Sequence, residues 1–246
     1  MYNIGIVEEF KVINHTYCNM KVIIYSANIG GYDMFSNPKN YDPNVRYILF
    51  TDNKYFKSKI WEVNHIDFID SSFDLRLKAR YLKTNPHKVL PKHDVSIWID
   101  HCFDYEFKDV SEMIKTIGFI DKDVMLYKHE ERDCIYDEGV KVVKLNLEIP
   151  SVVNEQMLKY RNEGYPEKYG LYQSGFMFRK NNKLVNKFND VWWNEIKHHS
   201  GRDQLSQVYA SWKVGLPISP ILRLGNVYYN KFLNPKVKHI KKWSYK

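Results

Sequence analysis

Cysteine is scarce in this chain. It occurs as Cys18, Cys102 and Cys134, an odd number with none of the paired spacing of a zinc site. Reduced thiols in a cytosolic protein are therefore the expectation. Long apolar runs are missing too: none approaches the roughly 20 residues needed to span a bilayer. The segment from Met1 to Glu9 lacks both the basic start and the long apolar stretch of a secretory leader. No Pro/Gly/Ser-rich linker, low-complexity run or internal repeat interrupts the 246 residues, so one domain spanning 1–246 is expected. A Gly-x-Gly-x-x-Gly fingerprint is absent as well, which argues against a Rossmann dinucleotide site.

What is present points to a soluble globular chain that meets anions. Hydrophobic residues make up 44% and charged residues 27%, ordinary values that allow a full core. Aromatics reach 15%, a density at which some rings line carbohydrate or nucleotide pockets while most are core. The net charge of +8 favours nucleotides, nucleic acid, acidic glycans or a membrane surface as partners. Much of that excess lies in a basic, aromatic tail over about 228–246. There Lys231, Lys236, Lys238, Lys241, Lys242 and Lys246 alternate with Phe232, Trp243 and Tyr245. Peripheral contact with anionic lipid is one use for it; a solvated terminus is the plainer one.

The strongest local pattern is the run from Val95 to Asp104. Val95, Ile97, Trp98 and Ile99 read as a strand buried on both faces, inside a parallel sheet. It ends in Asp100, where open α/β sheets bind their ligands. If the chain stays extended, Asp100, Cys102 and Asp104 point the same way, since strand side chains alternate with period two. Acids beside a hydrated cleft suit a divalent cation, Mn²⁺ or Mg²⁺, carrying a diphosphate. The competing reading is an Asp that merely caps the next loop.

Upstream, a strand over 21–26 runs into Ala27, Asn28, Ile29, Gly30, Gly31, Tyr32 and Asp33, a glycine turn that lets backbone approach a ligand closely. A second strand over 46–52 again ends in acid, Asp52, and a short third lies near 60–63. The period then changes. Asp74 and its neighbours offer N-caps for a helix from about Leu75 to Thr84, stopped by Pro86. Arg76, Arg80 and Lys83 form a cationic stripe on it. Arg76 is expected on a solvated face, and Arg80 with Lys83 on an anion. Further strands are read at 123–127 and 171–179, helices at 151–163, from 184 to near 201, and from 203 to about 213; residues 129–138 read as a polar stretch. Strands alternating with helices argue for an α/β sandwich around a mostly parallel sheet.

These pieces suggest a nucleotide-sugar site. The glycine loop and Asp52 would hold the nucleoside, Arg80 and Lys83 would neutralise diphosphate oxygens, and Asp100 would hold the metal. Six segments then resemble a known family in order over about 21–213: Ile24 to Asp33; Phe50-Thr51-Asp52; Ala79-Arg80 with Lys83 and Pro86-His87-Lys88; Ile97-Trp98-Ile99-Asp100; Arg132 to Glu138; and Arg202-Asp203-Gln204-Leu205-Ser206. Together they resemble the TOD1/MUCI70 glycosyltransferase-like domain.

The resemblance implies a single GT-A-like domain with a mixed, mostly parallel central sheet flanked by helices. It also implies a nucleoside-diphosphate sugar donor, UDP-sugar foremost, and a glycan hydroxyl acceptor; plant members are implicated in pectic polysaccharide synthesis. By position it implies Asp203 and Gln204 on the acceptor side near the anomeric carbon. His129, Arg132 and Glu138 would line the substrate pocket with Ser174 and Arg202, and Ala27, Asn28, Gly30 and Tyr32 would join the donor side. One departure stands out: GT-A enzymes commonly carry Asp-x-Asp, whereas Cys102 holds the third position here, with His101 between. His101 or Asp104 would have to help Asp100, or the enzyme would work without metal. Asp203 carries a structural alternative, because Ser200-Gly201-Arg202-Asp203 fits a capping box. Two other readings compete with the enzyme. A nucleic-acid-binding module would use the +8 charge, but the basic residues outside the tail are dispersed and the acid-ended strands would repel phosphate. A catalytically inactive, glycan-binding relative would account for Cys102.

Overall fold

The computed structural model describes residues 20–35, 37–38, 40–221 and 233–234. The apolar runs become strands β1 (Val22–Asn28), β2 (Arg46–Thr51), β3 (Glu62–His65) and β4 (Val95–Ile99). They continue as β5 (Asp104–Tyr105), β6 (Val124–Lys128), β7 (Tyr172–Lys180), β8 (Ser219–Ile221) and β9 (Leu233–Asn234). Seven of them form one sheet in the order β3-β2-β1-β4-β7-β6-β8. β7 is antiparallel to both neighbours, β4 and β6, while the other pairings are parallel. The expected mixed, mostly parallel sheet is what forms. Every residue of β4 is buried, as a central strand covered on both faces requires.

Seven helices flank the sheet among the described residues: α1 (Leu75–Thr84), α2 (Pro86–Val89), α3 (Val110–Thr116), α4 (Ile135–Lys144), α5 (Pro150–Asn162), α6 (Lys183–His198) and α7 (Gln204–Val214). The period-two alternation of β1 divides the core. Ile23 and Tyr25 join a cluster with Trp98, Leu82, Phe188 and Trp192 on the face that carries α1, α6 and α7. Ile24 joins Leu49, Ile97, Phe107 and Ile114 on the face that carries α3. Burying these two layers is the main favourable term for the fold.

α1 begins where the sequence predicts, with the Asp74 carboxylate accepting from Leu77 N–H at 2.7 Å. It stops at Thr84, and Asn85 caps it ahead of Pro86, whose ring cannot continue the ladder. α4 escaped the sequence reading, which left its first turn in a polar stretch. Its inward face, Ile135, Gly139 and Val142, has helical spacing, but the charged outer residues mask the period. The polar stretch forms only the helix entry.

Two further expectations change. The chain does not stay extended after β4: residues 101–102 turn, and Phe103 N–H bonds back to the Asp100 carbonyl at 3.1 Å. The alternation that would align Asp100, Cys102 and Asp104 is therefore broken. In the basic tail, Leu233 and Asn234 pair antiparallel with β5, so part of it is held by backbone hydrogen bonds. The tail lysines, Phe232, Trp243 and Tyr245, along with Cys18 and the segment from Met1 to Glu9, lie outside the described residues.

Candidate active site

A cavity of about 470 Å³ opens at the C-terminal edge of β1 and β4. Strand β4 delivers Trp98 and Asp100 to it, α1 delivers Arg80 and Lys83, and β7 delivers Ser174. The turn before α7 supplies Arg202 and Asp203. α1 can reach this edge because it packs on the β1 face, so the inner ends of its cationic stripe point over the sheet.

Lys83 is the centre of the arrangement. Its side chain is 1% exposed, and Nζ lies 2.6 Å from Asp203 Oδ2 and 3.2 Å from Asp100 Oδ1. Nζ also donates to Ser174 Oγ at 3.1 Å and stands 5.6 Å from the centroid of the Trp98 ring. A buried ammonium is tolerable only with such partners. Ser174 Oγ donates in turn to Asp203 Oδ2 at 2.7 Å, and Trp98 Nε1 donates to Asp100 Oδ1 at 2.7 Å. Arg80 approaches Asp203 Oδ2 at 3.4 Å and bonds the Gly201 carbonyl.

Asp203 departs from the capping-box reading. Its side chain makes no cap hydrogen bond, and Ser200 Oγ donates instead to Glu148 Oε2 at 2.9 Å. Burial alone would raise the Asp203 carboxyl, but Arg80, Lys83 and Arg202 hold it well below the ordinary carboxylate range. Such a group is a poor proton acceptor near neutrality; it suits holding cations in place. Gln204 lines the cavity beside it and donates to the Tyr172 carbonyl at 3.3 Å.

The expected donor-side residues divide in two. Ala27, Tyr32, Arg80, Lys83 and Asp100 line the cavity. Asn28, Gly30 and Asp52 shape its loop from behind. The Asn28 amide donates to the Asp33 carbonyl at 2.8 Å, and both Asp52 oxygens accept the Gly30 N–H at 3.0 and 2.9 Å. Gly30 has φ +67, which favours glycine, and a Cβ there would sit 2.7 Å from Leu75 Cδ1, the movable end of an exposed side chain.

Of the expected acceptor-side residues, His129, Ser174 and Arg202 line the cavity. Arg132 and Glu138 pair at 2.6 Å beside it, and an Arg132 nitrogen lies 3.1 Å from His129 Nε2. Burial, then the Arg132 charge, lowers the His129 pKa, which favours the neutral ring.

Arg76 departs from the solvated-face reading. It lines the cavity and pairs with buried Glu148 at 3.2 Å. Gly201 allows this, since a Cβ there would meet the Arg76 guanidinium at 3.0 Å. Gly175 was also missed: a Cβ on it would lie 2.6 Å from Phe103 and 3.2 Å from Asp100 Oδ2. A lone glycine inside a strand pattern was the available signal for close approach.

The donor set for a divalent cation is incomplete. Asp100 faces the cavity, but its Oδ1 already serves Lys83 and Trp98. Burial, then the charges of Asp100 and Asp33, pushes the Cys102 thiol far up, so it is protonated in the metal-free site. His101 is buried between Phe35 and Trp61 with Nδ1 3.3 Å from Ser26 Oγ, and burial lowers its pKa to about 4. The Asp104 side chain lies outside the described residues. No group of three His, Cys, Asp or Glu side chains is arranged for a metal among the described residues. By themselves they make no complete shell for a divalent cation; diphosphate oxygens and water would have to complete it.

An acid-ended central strand, a glycine loop and a cation-lined cavity on a mixed sheet define a GT-A-like α/β domain. The chain belongs to the TOD1/MUCI70 glycosyltransferase-like domain family, whose family model matches residues 7–242. No curated protein matches it. The membership accounts for the six ordered segments and marks the chain as a transferase in general. Among the described residues no helix is long and apolar enough to cross a membrane.

Proposed function

We propose that this protein transfers a sugar from a nucleoside-diphosphate sugar, UDP-sugar foremost, to a hydroxyl of a glycan. The observation that carries the reading is the convergence of Asp100, Lys83, Arg80 and Asp203 in one cavity at the C-terminal edge of parallel strands. Glycosyl transfer is limited by charge that builds on the departing diphosphate. Preorganised cations in a water-poor site stabilise such charge without reorganising during the reaction.

In this reading Arg80 faces the diphosphate oxygens, and buried Lys83, held by Asp203 and Ser174, adds positive charge from beneath. The loop with Ala27 and Tyr32 takes the nucleoside. Neutral His129 and Gln204 meet sugar hydroxyls. A divalent cation, if bound, would be held by Asp100 together with diphosphate oxygens and water, and would supply further stabilisation of the leaving charge.

The test is calorimetric titration of UDP and GDP, each with and without Mn²⁺, against wild type and Asp100→Ala. Binding of one nucleotide, weakened by the substitution, supports the reading. Binding of neither under any condition overturns it. A Mn²⁺ requirement that is lost in Asp100→Ala would assign the cation to Asp100 and the diphosphate together. Nucleotide binding without turnover of any donor would favour the inactive, glycan-binding alternative.

A further inference from the structure

Arg179 is a buried guanidinium with no carboxylate partner among the described residues. It sits on β7, is 0% exposed, and lies under the end of α1 rather than in the cavity. Its Nη1 donates to Asn189 Oδ1 at 2.7 Å and its Nη2 to the Lys83 carbonyl at 2.7 Å. Nη2 also donates to the Tyr25 hydroxyl, which itself donates to the Lys83 carbonyl at 2.9 Å. Burying a charge in this way is costly, and a neutral residue would fill the same space more cheaply. The guanidinium meets the negative end of the α1 dipole at the Lys83 carbonyl.

The residue whose carbonyl is clamped is the one whose ammonium stands in the cavity. A lysine side chain has four rotatable bonds, so fixing its tip requires that its backbone be fixed as well. β7 touches both ends of Lys83, and α6 holds a partner of each end. β7 offers Arg179 to the carbonyl and Ser174 to Nζ. α6 offers Asn189 to Arg179, and Trp192 Nε1 donates to the Asp203 carbonyl at 3.0 Å.

We propose that Arg179 and Tyr25 are positioning residues for Lys83: by capping its carbonyl from the interior, they set its ammonium between Asp100 and Asp203. This rests on the proposed function only for its consequence, the binding of a nucleoside diphosphate. The positioning itself is read without any ligand.

The experiment compares wild type, Tyr25→Phe and Arg179→Lys, with Arg179→Met added if it folds. The first readout is the ¹⁵N–¹H signal of the Lys83 ammonium, assigned by its loss in Lys83→Met. Both conservative variants should shift it or speed its exchange with water; an unchanged signal in both overturns the proposal. The second readout is UDP affinity. Tyr25→Phe should weaken it about 10-fold in the wild-type background, and leave it unchanged when Lys83 is already methionine. An equal loss in both backgrounds would mark a merely structural role and overturn the proposal. A moved Lys83 signal in a protein whose wild type binds no nucleotide would support the positioning and remove the glycosyltransferase reading alone.

Discussion

Lys83 Nζ lies 2.6 Å from Asp203 Oδ2, an ion pair that joins the end of α1 to the start of α7 with both side chains nearly excluded from water. Removing one member of a buried pair leaves the other charge less compensated, and Asp203 would keep Arg80, Arg202 and Ser174. Lys83→Met should therefore lower the unfolding free energy by about 3 kcal/mol, the low end for a broken buried pair. The double variant Lys83→Met/Asp203→Asn should lose clearly less than the sum of its parts. Urea denaturation measures all of these, and strict additivity would mean that the two side chains are not coupled.

Acid stability should fall in two separable windows. His101 has a folded pKa of about 4 against an ordinary 6.5, because burial disfavours its charged ring. Its contribution is present above 6.5 and is lost as pH falls toward 4. His87, His93, His129 and His199 are lowered in the same direction and add to this limb. His101→Phe should remove up to about 3 kcal/mol of it. Asp203, held low by its cations, contributes stability that is present above the ordinary carboxylate pKa of about 3.9 and is lost below it. Asp203→Asn should flatten that lower limb alone. Denaturation midpoints from pH 7 to pH 2 would test both assignments.

Gly175→Ala adds a Cβ 2.6 Å from Phe103 and 3.2 Å from Asp100 Oδ2. Overpacking of this kind costs about 1–3 kcal/mol, so the protein should still fold. Nucleotide affinity should suffer more than stability, because the displaced atoms belong to Asp100 and its loop. Equal affinity in the folded variant would show that the Asp100 carboxylate has no part in binding.

Gly30→Ala meets two obstacles, a positive φ and Leu75 Cδ1 at 2.7 Å. The first costs roughly 1–2 kcal/mol for an L-residue. Adding Leu75→Ala should relieve the contact and leave the backbone cost. Thermal denaturation of the single and double variants separates the two, and a fully restored midpoint would refute the backbone share.

The extent of sequence legibility follows from how local each signal is. The buried strand ending in Asp100, the N-cap of α1 at Asp74 and the stripe of Arg76, Arg80 and Lys83 are patterns within about ten residues, set by the helix and strand periods. They were readable, and so was the order of the family's six segments. Arg76 was misread because a stripe shows which residues share a face but not what covers that face; Glu148 and the turn at Gly201 cover it. Asp203 kept a capping-box alternative beside its acceptor-side reading because the Ser200-to-Asp203 spacing is identical for both roles. The extended reading of Asp100, Cys102 and Asp104 failed because period-two alternation ends where the backbone turns.

By itself the sequence determined the layered α/β plan, the family, and which residue types would reach the C-terminal edge of the sheet. Those follow from apolar periodicity and local turn chemistry, which act between near neighbours. Tertiary structure alone decided that Lys83 is buried between two carboxylates, that Asp203 faces cations rather than its own helix, and that Arg179 reaches the end of α1 from beneath. Each of these joins segments far apart in the chain. Buried charges take whichever partners the packed elements bring within reach, and that choice is made only when the sheet and helices close on one another.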